Sequence, residues 1–178
     1  MRRVWRIATN APTYKADDLS GTGAKLTGGR WNSAGVPVVY CAESIALAAL
    51  ETVVHLDADD LPLNRYLVAI DIPPVVWRKR ESHTEKTVPV GWDALPAALT
   101  SIEFGDRWIA DKRSAVIELP SVVVPDERNI LINPAHPDTK KIKATIERKW
   151  EYDSRLKKAA PAPKRPAAAS KKKQATKP

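Results

Sequence analysis

Residues 28 to 55 read GGRWNSAGVPVVYCAESIALAALETVVH, and inside this stretch the hydrophobic pattern changes from that of a strand to that of a helix. The apolar run Val38–Ala42 stops at Glu43-Ser44, and Ser44 is a good N-cap for the helix IALAALETVVHL that follows, residues 45 to 56. A strand feeding directly into a capped helix rules out reading the chain as one kind of element. Elsewhere, Val4–Ala8 reads as a first strand and Asn10–Thr27 as a long loop containing Pro12, Gly21 and Gly23. Gly29–Asn32 and Val38–Ala42 read as two short strands about the turn Ser33-Ala34-Gly35. Arg65–Ile72 is a buried strand ended by Pro73-Pro74, residues 75 to 87 are a polar stretch, and a helix is expected over Ile102–Lys112. SAVIELP, SVVVP and NILIN look like strands, and IKATIERKWEYDSRL closes the ordered part. Helices and strands alternate without regular βαβ spacing, so the expected class is α+β in a single domain.

Length and charge refine this picture. A chain of 178 residues with 43% hydrophobic content can bury one real core. No run of eighteen apolar residues occurs, and the N-terminus lacks an apolar signal core, so neither a membrane span nor a secretory signal is expected and the expected location is cytoplasmic. One cysteine, Cys41, and three scattered histidines give no zinc-type spacing, so no metal is expected. The net charge of +8 suggests a nucleic-acid binder until it is mapped. Six of the 29 basic residues lie in the Ala/Pro/Lys-rich segment 159–178 without a single acid, which leaves 23 against 21 in the rest. We therefore expect a folded domain over 1–158 and a disordered tail over 159–178, a solubilising appendage or else a nucleic-acid contact, with no aromatic residue to stack on bases.

The glycines before Arg30 invite a nucleotide-loop reading, which fails on spacing. Gly23 and Gly28 have the P-loop gap, but Gly29-Arg30 follows where Lys-Ser/Thr is required. Gly21-Thr22-Gly23 lacks the third glycine of the dinucleotide fingerprint and lies in a loop. What remains is a Gly-rich approach that either turns or moves over a ligand. On a helical wheel Ala46, Val53, Leu50, Val54 and Leu47 share one arc, with Glu51 about 40° beyond its edge, on the core boundary. A carboxylate there can be partly desolvated and face a cavity, or simply keep its head in water. Taken singly, Arg30 reads as a surface arginine and Tyr40 as a strand aromatic.

The combination is more specific. GGRWNSAGVPVVYCAESIALAALETVVH resembles the RES domain family, with its R-[W/F]-N-x-x-G-x-P-x-x-Y-x-[AS] run followed by a glutamate-bearing helix. Trp5-Arg6 resembles that family's opening. FGDRWIADKRSAVIELPSVVVPDERNILINPAHPD resembles its W…S…P-S segment with N-x-[LI]-[LI]-N-P-x-H-P, and EYDSRL its closing D-x-R-L. The likeness runs from about residue 4 to residue 156.

The resemblance implies a fold similar to ADP-ribosyltransferase toxins and a bacterial toxin of a toxin–antitoxin pair, with NAD⁺ as substrate. The reaction implied is hydrolysis or phosphorolysis of the nicotinamide–ribose bond, or transfer of ADP-ribose to a protein. The partner implied is a cognate Xre-like antitoxin, with nucleic acid contacted only through it. Residue by residue, it makes Arg30, Tyr40 and Glu51 the central site residues, Arg6 a further NAD⁺-binding side chain, and Ser114 the site serine, with Ser121 the runner-up. A basic binding module driven by the tail is the competing reading from another class.

Overall fold

A computed structural model describes residues 1–55 and 62–156. Seven strands, β1 (Arg2–Ala8), β2 (Val39–Ala42), β3 (Tyr66–Ile72), β4 (Glu81–Ser82), β5 (Val116–Pro120), β6 (Arg128–Ile132) and β7 (Lys143–Lys149), form one sheet in the order β4-β5-β6-β2-β1-β3-β7. Only β4 and β5 run parallel. Around the sheet lie α1 (Thr22–Thr27), α2 (Ile45–Val53), α3 (Pro74–Trp77) and α4 (Leu99–Asp111). The class is α+β, as the element order implies. The expected tail, 159–178, and the last residue of the helix expected over 45–56 lie outside the described residues.

The sheet has a seam. β1 and β3 are in register along seven pairs, from Arg2↔Ile72 to Ala8↔Tyr66, whereas β1 and β2 meet at the single pair Trp5↔Ala42. Helix α2 spans that seam, burying Leu47 and Ala48 against Ile7 of β1, Ala42 of β2 and Leu67 of β3. Ser44 caps it as its sequence position requires, its hydroxyl accepting from the Leu47 N–H at 3.0 Å. On the same face, α4 packs Trp108 and Ile109 with Trp31, Ile117, Leu119 and Leu131. The opposite face holds Val4, Val39, Cys41, Val68, Ile130 and Ile132. Strand β7 closes one edge and leaves Lys143, Thr145, Glu147 and Lys149 exposed along it, which discourages pairing with another sheet.

Four local expectations change. SVVVP is not a strand, because the Ser121 hydroxyl accepts from the N–H groups of Val123 and Val124 and folds the chain into a turn between Pro120 and Pro125. Gly29–Asn32 makes one isolated bridge rather than a strand. The loop over Asn10–Thr27 contains the six-residue α1, and the polar stretch 75 to 87 contains most of α3 and all of β4.

Candidate active site

Helix α2 fixes where Glu51 points. The wheel places the apolar arc through Leu50 and Val54, yet these are 39% and 55% exposed, while Leu47 and Ala48 are buried. At 100° per residue Glu51 falls between Leu47 and Ala48, about 40° from the first. It therefore lies on the packed face rather than beyond its edge, aimed at the sheet.

Two side chains meet it there. Asn129, opposite Ala42 in the β2–β6 register, donates from Nδ2 to Glu51 Oε1 at 2.6 Å. The Ser121 hydroxyl donates to the same oxygen at 2.8 Å. No donor among the described residues meets Oε2. Ser121 also lines a cleft of about 230 Å³ with Glu85, Trp92, Asp93, Val122 and Pro125. Beyond Glu85 and Pro125, a second, polar cleft of about 400 Å³ is lined by Thr84, Lys86, Asp126 and Arg128 as well.

Arg30 approaches from the turn before β2. Its Nη1 donates to the main-chain carbonyls of Trp92 at 2.7 Å and Ala94 at 2.9 Å, leaving Nε and Nη2 without an acceptor among the described residues. Trp92 thus connects the arginine to the cleft in which Ser121 lies. The turn itself is heavily braced. Buried Asn32 donates to the carbonyls of Ala24, Ser33 and Val36, and Asp106 of α4 accepts from the Ser33 N–H and hydroxyl at 2.9 and 2.6 Å.

Tyr40 belongs to this brace. Its hydroxyl accepts from the Trp31 N–H at 3.0 Å and donates to Asn32 Oδ1 at 2.8 Å. Burial drives the phenol's proton affinity well up, the Trp31 N–H opposes that, and the charges of Asp106, Arg30 and Glu51 all reach it. The charges of Arg30 and Glu51 thus both reach the Tyr40 phenol. Gly29 makes the contact possible, since a Cβ there would lie 2.7 Å from the Tyr40 hydroxyl and 3.0 Å from Asn32 Oδ1.

Two other expected site residues lie elsewhere. Ser114, the first choice for the site serine, is buried two residues before β5, accepting from Trp108 Nε1 at 2.9 Å and donating to the Val116 carbonyl at 2.8 Å. It is Ser121 that reaches Glu51. Arg6 alternates with Trp5 and Ile7 and so shares the sheet face of Val4 and Ala8, across from Tyr40 and α2. Its Nη1 donates to the Asp18 carbonyl at 3.1 Å, burial lowers its pKa, and Cys41, Asp18 and Tyr14 are the groups that oppose the shift. Asn129, standing in NILIN, has no role assigned by the sequence. Its parity with Leu131 on one face of β6 was the available signal.

The comparisons agree on one family. The RES domain model matches residues 3–154. Relatives include a "Prs ADP-ribosylating toxin" from Sphingobium sp. (strain YBL2), 60% identical over 152 residues, covering 85% of this chain and 94% of that protein. Proteins named "Toxin Res" from Photorhabdus laumondii and Pseudomonas putida are 40% and 37% identical, covering 82% and 86% of this chain and 92% and 98% of theirs. The toxin–antitoxin complex MbcT–MbcA of M. tuberculosis contains a chain with the same fold, at a TM-score of 0.60 and 14% identity over 83% of this chain and 85% of that one. With its Arg-Trp-Asn turn, its Tyr40 brace and its Glu51 helix in place, the chain belongs to the RES domain family.

Proposed function

We propose that the protein is the toxin of a toxin–antitoxin pair and that it cleaves the nicotinamide–ribose bond of NAD⁺. The observation that carries this reading is the state of Glu51: Oε1 is held by Asn129 and by Ser121, itself a residue of the cleft wall, while Oε2 meets no described donor. Nicotinamide leaves as a neutral molecule, so the barrier lies in the positive charge that develops on the ribose ring. A carboxylate fixed in advance stabilises that charge without having to reorganise. Glu51 Oε2 accepts from a ribose hydroxyl and holds the negative charge near the ring. Arg30, anchored through Nη1, offers Nε and Nη2 to the diphosphate, whose oxygens match the guanidinium fork. Tyr40 holds the turn that carries Arg30, and Ser121 fills the role of the site serine. Arg6 faces the other side of the sheet, where its guanidinium holds the Asp18 carbonyl, so the diphosphate contact is assigned to Arg30.

The acceptor of ADP-ribose is water, phosphate or a protein side chain. Transfer to a protein is favoured by the name of the 60% identical Sphingobium relative, an ADP-ribosylating toxin. The partner proposed is a cognate antitoxin of the Xre-like kind that occludes the cleft, so that nucleic acid is contacted only through it. Among the described residues no helix is long and apolar enough to cross a membrane, and we place the toxin in the cytoplasm, where NAD⁺ is.

Incubating the purified protein with labelled NAD⁺, with and without phosphate and with host extract, separates the outcomes. Free ADP-ribose, ADP-ribose phosphate or labelled protein identifies the acceptor. Glu51→Gln should lower nicotinamide release by roughly a hundredfold or more; unchanged release from that variant would refute the assigned role.

A further inference from the structure

The carboxylate of Glu51 has only acceptors to offer, so its contact with Asn129 fixes which way the amide lies: Nδ2 faces the carboxylate and donates at 2.6 Å. The side chain comes from the second residue of β6, on the same sheet face as Ala42, its partner across the β2–β6 ladder. Ser121, which lines the cleft, approaches the same oxygen from the turn after β5, so two independent segments converge on Oε1 and leave Oε2 without a described donor. One donor would let the carboxylate pivot. Two donors fix its plane, and only then does Oε2 stand at a constant position relative to a bound ribose.

We propose that Asn129 is a positioning residue of the reaction, acting through Glu51 and touching no substrate itself. This rests on the reading of Glu51 given above. Losing a hydrogen bond to a charged group inside a packed site predicts a fall in kcat of roughly ten- to a hundredfold for Asn129→Ala, with KM for NAD⁺ little changed because the diphosphate contacts remain. The isosteric Asn129→Asp is the sharper probe. It keeps the shape and sets two carboxylates against each other, so that the pair works only when it shares a proton. A protonated Asp at 129 donates to Glu51 as the amide does.

The test is kcat and KM for NAD⁺ of the full chain and the two variants between pH 5 and 8.5, together with growth arrest on induction. The expected result is a low kcat for Asn129→Asp at pH 8 that recovers by about tenfold or more as the pH falls toward 5.5, against a flat ratio of Asn129→Ala to parent. Two results overturn the proposal: kcat within twofold of the parent in both variants, or an equal loss in both without recovery at low pH, which marks Asn129 as structural. Growth arrest reads the variants without assuming the substrate. A parent that arrests growth yet leaves NAD⁺ intact removes the proposed function, and loss of arrest in both Asn129→Asp and Glu51→Gln then still ties Asn129 to Glu51.

Discussion

Tyr40 uses both bonds of its hydroxyl on the turn that carries Arg30, and this decides how its removal should read. Tyr40→Phe orphans the buried Asn32 Oδ1 and the Trp31 N–H, at a cost of about 1–3 kcal/mol. A lower Tm, by roughly 2–4 °C per kcal/mol in a domain of this size, should accompany a rise in KM for NAD⁺ larger than the fall in kcat. A kcat effect with unchanged KM would instead place the hydroxyl at the reacting ribose. Its neighbour on the other face behaves differently. Burial pushes the Cys41 thiol up to about 12, partly offset by Arg6. A thiol whose folded value exceeds its unfolded one contributes stability below pH 9 that is lost between about 9 and 12, since only the unfolded chain ionises there. Cys41→Ala should flatten that part of the alkaline unfolding curve, and native Cys41 should resist alkylation at pH 7.5.

Among the elements, α2 and α4 have opposite demands. Helix α2 depends on its cap: Ser44→Ala removes the bond to the Leu47 N–H and one to Glu127, and should cost about 1 kcal/mol in chemical denaturation with little loss of kcat. Helix α4 depends on closeness. A Cβ at Gly105 would overlap the Trp31 carbonyl, so Gly105→Ala should push the helix off the GGRWN turn and lose both Tm and NAD⁺ affinity. Ordinary stability for that variant would mean that the turn yields easily. The strand-to-helix switch at Ser44 was legible because capping chemistry and hydrophobic period are local. The buried face of α2 was not, since Ala46, Ala48 and Ala49 carry little hydrophobic contrast and the helix chose the face that fits Ile7, Ala42 and Leu67. SVVVP has strand composition, but the hydroxyl of its own first residue outcompetes the ladder.

For the whole molecule, the α+β class could be read ahead of the structure, whereas the spatial relation of Arg30, Tyr40 and Glu51 and the choice between Ser114 and Ser121 could not. Both serines flank one strand, seven residues apart, and only the path of the chain at each end of β5 tells which one meets α2. Charge belongs at this scale too, because the excess is concentrated in 159–178. Protein ending at residue 158 should consume NAD⁺ at the parent rate. If the tail is what attracts nucleic acid, its loss should abolish the salt-dependent binding. A shortened protein that loses catalysis would join the tail to the site.

The single register pair between β1 and β2 makes α2 a splint across the weakest line of the sheet. Amide exchange along the β1–β2 line should therefore run ahead of that in the β3–β7 ladder, and each opening there should free α2 from Ile7 and Leu67 and loosen the helix that carries Glu51. Catalytic competence and seam closure become one equilibrium: agents that favour the open seam, such as mild urea, should silence the enzyme at concentrations that leave most of its secondary structure standing.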